Sequence, residues 1–361
     1  MTQRVFLHPG PLKTGTTYLQ SLLDANRESF LAQGVTIVGD QGSHHRAANE
    51  LMRRKSSRAR RVPEGEWNRM RAAVLSSPGD AVMSCERYSL FRVEHVRRVL
   101  EDLADREVHV VLTLRDQVAV LPARWQEGIK NGGTATWPQF QERVAEDPAE
   151  LRKMTRAMST LEAWASALPA ERIHVVTVPP SSAPRTLLFE RFCEALGVDP
   201  SRLDTFKAAR ANPSMDLVTT ELIRRVNSQD TVRLSAHAQH FEIKSFLAPE
   251  LTAKDRGRPE LSVAVLEAVK GESQALIQRI EAGGFHVIGD LNDLTSSTSS
   301  APSGTGVEVH PDELLDVAAV AVAALAQRSW MRGRRLRNYE ARRPLPLARR
   351  VVRRWRRRLR R

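Results

Sequence analysis

The sequence of 361 residues holds only two cysteines, Cys85 and Cys193. They lie far apart and outside any zinc-type spacing, which predicts reduced thiols in a cytoplasm-like compartment, no disulfide framework and no metal site. Long apolar runs are also lacking. The longest, Val317 to Ala326, falls short of the roughly 20 residues a membrane span needs, and predicts a buried helix. No apolar stretch of signal-peptide length comes after the early Arg4, so export by that route is not expected. Internal repeats are absent. Acidic residues are scarce in one place only: residues 332–361 carry fifteen arginines against one glutamate, a balance of +14 within a total of +13, so residues 1–331 sum to −1. The high pI therefore describes a tail, and the body is nearly neutral.

What is present is a globular composition, 41% apolar and 27% charged, sufficient for a sizeable core. Mostly apolar runs at Val5–Leu7, Gly34–Val38, Asp80–Glu86, His109–Arg115 and Arg172–Val178 read as strands. Several are nearly continuous rather than alternating, the pattern of parallel strands covered on both faces. Helical patterns at Thr17–Ala32, Trp67–Leu75, Val93–Leu103 and Met154–Leu168 fall between them. This alternation predicts an α/β fold with a doubly wound parallel sheet in three layers and, after the last of these strands, a helical C-terminal half. The expected organisation is an α/β domain over 1–295, a Ser/Thr/Gly-rich linker over 296–310, a helix over 311–331 and a basic tail over 332–361.

The most informative stretch joins the first strand to the first helix, "VFLHPGPLKTGTTYLQSLL". The breakers His8-Pro9-Gly10-Pro11 stop the strand, and from Thr16 onward Leu19, Leu22 and Leu23 recur at helical spacing. Thr14, Thr16 and Thr17 suit a helix start, Gly15 allows close backbone approach, and Lys13 adds a full charge to the positive end of the helix dipole. Phosphate or sulfate is the natural ligand of such a site. Lys13 precedes the glycine, whereas the Walker A order places lysine after it. In a parallel sheet, ligands lie outside the carboxyl ends of the strands. Glu86 and the pair Arg115-Asp116 end two further strands and so become candidates, with His44-His45 at a strand-to-helix loop and Lys130 and Asn212 in minor roles.

The order Lys13-Thr14-Gly15-Thr16-Thr17 after a strand resembles the 5'-phosphosulfate loop of sulfotransferases that use PAPS (3'-phosphoadenosine 5'-phosphosulfate). The resemblance, which is to a bacterial branch, extends over roughly residues 1–295. It implies a P-loop NTPase-like fold of sulfotransferase type, PAPS as donor and no metal. It also implies that Lys13, Thr14, Gly15, Thr16 and Thr17 hold the 5'-phosphosulfate and that Arg115 binds the 3'-phosphate. The serine that shares this task eight residues later is replaced by Ala123. Glu86 is similar to the strand-end glutamate that serves as base in membrane-associated members, while His45 is the other candidate base.

In chemical terms, Lys13 suits charge growing on a leaving phosphate oxygen, and Glu86 suits the proton of an attacking hydroxyl. The expected activity is sulfuryl transfer to a hydroxyl of a small-molecule, lipid or glycan acceptor. The alternatives are a nucleotide-dependent kinase or a non-catalytic protein that keeps the fold. Each residue also has a plainer reading: Glu86 as a surface ion pair with Arg87, Arg115 as a structural partner of Asp116, Trp125 as core. In the tail, Val351, Val352, Trp355 and Leu359 would share one stripe of a basic amphipathic helix. Such a helix suits an anionic membrane surface or an anionic glycan or lipid acceptor, with a solvated disordered tail as the equal alternative. The expected location is cytoplasmic, peripheral at the inner membrane surface if the tail docks there, and no specific nucleic acid partner is expected, since no reading motif is present.

Overall fold

The strands form where apolar side chains alternate between two covered faces. In β1 (Arg4–His8), Val5 and Leu7 point into one core with Ala81, Met83, Val110, Leu112, Trp67 and Trp164, while Phe6 points into another with Leu19, Leu22, Phe30, Phe189 and Phe192. Burial on both sides explains the near-continuous apolar runs. The computed structural model describes residues 3–52, 65–205, 215–229, 234–251, 257, 259–295 and 309–342, with side chains as far as 334. Asn212, most of the linker and the tail beyond 342 lie outside the described residues.

With β2 (Val35–Ile37), β3 (Asp80–Ser84), β4 (Glu107–Leu114), β5 (Ile173–Thr177) and β6 (His286–Ile288), the sheet is six-stranded in the order β2-β3-β1-β4-β5-β6. Every pairing is parallel. The connection from β1 leaves toward β2 and that from β4 toward β5, so a crevice opens between these neighbours at their carboxyl ends. The fold is thus the expected doubly wound α/β sheet, P-loop-like in placing its Lys-Thr-Gly loop at that crevice. A separate helical core joins Leu121, Trp125, Trp137 and Phe140, from helices between β4 and β5, to Val265 and Val317 of the helical C-terminal half.

Four departures from the expected elements have local causes. The helix expected over Thr17–Ala32 breaks at Asn26, whose amide side chain donates to Leu22 O (2.9 Å) and Asp204 O (3.0 Å) and accepts from Asp204 N (2.7 Å), replacing helical bonds. The pattern over Met154–Leu168 splits into Pro148–Thr155 and Ala157–Ala165 at Arg156, which takes the left-handed conformation at φ 57°. The sixth strand leaves little trace in the sequence because it is three residues long and opens on an exposed His286. The run Val317–Ala326 is helical but is not a buried helix. It lies within a helix over Pro311–Arg342 that buries Leu314, Val317 and Ala321 and leaves Val320, Val322 and Leu325 exposed, because only one edge meets the helical core.

Candidate active site

The loop after β1 is held in a shape most residues avoid. Lys13 sits at φ 72° and Gly15 at φ 83°, and Gly15 N-caps the helix Thr16–Ala25 with no side-chain cap. Left-handed backbone at a lysine carries a strain of order 1–3 kcal/mol, typical of ligand clamps. At Gly15 a Cβ would be strained by φ and would also clash with Leu188 Cδ2. The helix's first bond is Leu19 N to Gly15 O, so the first-turn amides remain free for an anion.

The threonines do not cap this helix. The Thr14 hydroxyl turns inward, donating to Pro11 O (2.7 Å) and meeting Thr113 Oγ1 (2.9 Å). Thr17 is exposed, and the Thr16 hydroxyl is buried with no hydrogen-bond partner among the described residues. Beneath the loop the chain of contacts continues through Thr113 Oγ1 to His8 Nε2 (3.1 Å) and from His8 Nδ1 to Ser84 Oγ (2.8 Å). Burial drives the His8 pKa from 6.5 down to about 3, so the ring is neutral. His8 ties the ends of β1, β3 and β4 together. By sequence it reads only as a strand terminator, although a histidine closing an apolar run next to breakers is an available signal.

Around the loop lies a cluster of cations. Lys13 Nζ is 3.5 Å from Glu127 Oε2, and Lys244 Nζ is 2.5 Å from Glu127 Oε1. Burial alone would raise the Glu127 pKa; the Lys244 hydrogen bond and the charges of Lys13, Lys244 and Lys130 outweigh it and hold the carboxyl at about 2. Lys130 is lowered by burial and by Lys13's charge. Arg115 Nη1 donates to Lys13 O (3.2 Å), bracing the loop, and is lowered by burial with partial compensation from Asp116. Asp116 accepts from Val118 N (2.9 Å), capping the helix Gln117–Lys130. Ala123 lies one turn before Glu127 on that helix and brings no donor. Trp125 packs in the helical core, its Nε1 donating to Ala135 O (2.9 Å).

Glu86 opens the 3-10 turn Glu86–Leu90 directly after β3. Its Oε1 is 4.0 Å from His45 Nε2, too long for a hydrogen bond, and that nitrogen has no hydrogen-bond partner among the described residues. Burial lowers the His45 pKa, as does Arg87, and Glu86 offsets part of this. Arg87 instead donates to Asn49 Oδ1 (3.0 Å) and makes no ion pair with Glu86. His44 is buried against Tyr88 OH (3.2 Å), with its pKa driven to about 4 by burial. Two arginines that no sequence motif marks complete this side. Arg124 has an Nε buried with no partner among the described residues, and its pKa is lowered by burial and by the charge of Arg156, against weaker support from Glu127 and Glu86. Arg156, also lowered by burial, lines a cavity of ≈ 540 Å³ with Arg92, Ser89, Phe91 and Ser159.

The structure thus gathers Lys13, Lys130 and Lys244 around Glu127, sets Arg115 on the Lys13 carbonyl, and brings Arg124 near Arg156, Glu127 and Glu86. Among the described residues no group of His, Cys, Asp or Glu is arranged to hold a metal. No protein-family model matches the chain, and no curated protein matches it. A solved structure, the crystal structure of a sulfotransferase from Alicyclobacillus acidocaldarius, is 14% identical with a TM-score of 0.39, over 66% of this chain and 100% of that one. At that distance the likeness carries no argument about function.

Proposed function

We propose that the protein transfers a sulfuryl group from PAPS to a hydroxyl on a small-molecule, lipid or glycan acceptor. The observation that carries this reading is the strained loop at the end of β1: Lys13 and Gly15 in left-handed conformations, first-turn amides without partners, and Arg115 donating to Lys13 O. The unpartnered, buried Thr16 hydroxyl suits a further bond to an anion. PAPS supplies the activated sulfuryl group and two separate anionic ends.

In this reading the first-turn amides, Thr16 and Lys13 hold the phosphosulfate end, and Arg115 holds the 3'-phosphate without help from position 123. Lys13 stabilises charge that grows on the phosphate oxygen as its bond to sulfur breaks. Glu86 accepts the proton of the attacking hydroxyl at a carboxylate oxygen, while the oxygen forms its bond to sulfur in line with the departing phosphate. His45, whose Nε2 lies 4.0 Å from Glu86 Oε1, is the alternative base.

Calorimetric titration with PAP, the desulfated donor product, and with Mg-ATP tests the reading on the wild type, Lys13→Ala and Arg115→Ala. The expected result is tight PAP binding that both substitutions weaken. Binding of Mg-ATP in place of PAP would overturn it in favour of phosphoryl transfer. PAP binding with no turnover on any acceptor would leave a binding protein on the same fold.

A further inference from the structure

The helix Pro311–Arg342 is apolar on two faces, and only one is covered. Leu314, Val317 and Ala321 are buried in the helical core. Toward the end of that edge, Arg328 stacks over the Phe246 ring (3.9 Å), and Arg328 and Arg332 pair with Glu242 (3.4 and 2.9 Å). At about 100° per residue, Leu315, Ala319, Val322, Ala323, Ala326 and Trp330 fall on a second stripe on the opposite side. Leu315 and Val322 are each 67% exposed and Trp330 is 59% exposed.

We propose that this stripe docks on an anionic lipid bilayer, lying in the plane of its surface. Three observations select that occupant. The stripe ends at Trp330, an amphipathic residue suited to the headgroup level, and the chain beyond it carries fifteen arginines against one glutamate. An apolar strip continuous with a strongly basic segment complements a negatively charged, apolar-cored surface. A second copy of this chain would set +14 against +14. Spanning is disfavoured although Pro311–Arg334 is long and apolar enough to cross a membrane. Insertion would draw Leu314, Val317 and Ala321 out of the core and break both pairs to Glu242.

The covered edge of the helix, opposite the docking stripe, is the one that connects toward the crevice. Glu242 belongs to the π-helical segment Gln239–Leu247, which carries Lys244 to Glu127 and so to the Lys13 loop. The surface contact is independent of the chemistry proposed above and is tested without it.

The test is cosedimentation of the full chain with vesicles of phosphatidylcholine alone and of phosphatidylcholine with about one third phosphatidylglycerol. Binding to the anionic vesicles only, weakening with salt, is expected. In Leu315→Asp/Val322→Asp, two exposed positions, binding falls by about 10-fold or more, since two apolar contacts are lost, while the melting temperature stays unchanged. Undiminished binding of this variant would overturn the proposal and leave the contact to the tail alone. Resistance to alkaline carbonate extraction would replace docking with spanning. A lipid-free dimer that the variant dissociates would assign the stripe to a second copy.

Discussion

At the amino ends of the strands, Arg4 forks onto Asp80 (2.9 and 2.6 Å), Arg172 meets Glu107 (3.3 Å), and Arg106 donates to the carbonyls of Gly79, Leu75 and Ser77 at 2.7–3.0 Å. At the carboxyl ends, Lys13 and Lys244 share one carboxylate, and among the described residues the Arg124 Nε and the Thr16 hydroxyl are buried without a partner. The same residue types are closed into protein at one edge and held open at the other. Desolvated polar groups without a partner cost stability. Thr36 Oγ1, His109 Nε2 and Trp164 Nε1 are also unpartnered among the described residues, but at the carboxyl ends such groups, on Thr16, His45, Gln117 and Arg124, lie beside the cationic loop, where the proposed ligand would supply the missing half of the interactions.

The largest effects should separate the edges by function. Lys13→Ala removes the loop's full charge, and turnover should fall about 10²–10³-fold, the scale for losing one preorganised charge-stabilising donor. Glu86→Gln should cost about 10²-fold, the lower end of general-base contributions. Both should leave thermal unfolding nearly unchanged. Steady-state kinetics with PAPS beside calorimetric unfolding checks the split. Normal turnover by Glu86→Gln would move the base to His45.

Next in size is the mirror experiment at the amino edge. Arg106→Ala strips one buried and two partly buried carbonyls of a charged donor and should destabilise the fold by about 3 kcal/mol, with PAP affinity unchanged in the folded protein. Arg124→Gln should do the reverse, holding or raising stability because it relieves repulsion from Arg156, while weakening anion binding in the crevice. Urea titration of the two variants decides. Equal loss of stability in both would show the edges to be alike.

Acid should act on both edges through buried neutral histidines. Burial lowers His8 to about 3 and His44 to about 4; His174 is lowered to about 4 by burial and then by the charges of His109, His286 and Arg4. His174 sits within a cross-strand line, His109 Nδ1 to His174 Nε2 and His174 Nδ1 to His286 Nδ1, each 2.9 Å. Between pH 6.5 and these values the unfolded chain binds protons that the native state does not. Stability is therefore complete above pH 6.5 and falls with acidification, by up to about 1.4 kcal/mol per pH unit for each ring. Glu127, depressed to about 2, adds to the loss below about pH 4.5. Urea midpoints at neutral and mildly acid pH test this, and His8→Gln should flatten the profile.

Much of the sheet can be read from the sequence because burial on two faces writes a continuous apolar run. The loop can be read because Lys13-Thr14-Gly15 is contiguous. Partnerships across the fold cannot. Glu127 and Lys244 are 117 residues apart, and nothing local marks Arg156 as a helix break or as a neighbour of Arg124. The exposed face of Pro311–Arg342 escapes the sequence for a related reason: composition gives apolarity, while the side that meets a core depends on elements elsewhere in the chain.

The smallest expected effect is the sharpest on the comparison between edges. Thr16→Val replaces a buried, unpartnered hydroxyl by a methyl of similar shape, and burying such a group costs about 1–3 kcal/mol when unpaired. Stability should hold or rise slightly, while PAP affinity falls about 10-fold through loss of one hydrogen bond to a charged group. Thr14→Val, two residues earlier, removes bonds the protein itself makes to Pro11 O and Thr113, and should lower stability by about 1–2 kcal/mol. Urea midpoints and PAP titrations of the pair read the contrast directly. If Thr16→Val destabilised the fold and left PAP binding intact, the open hydroxyl would belong to the scaffold, and the carboxyl edge would lose its clearest mark as a binding surface.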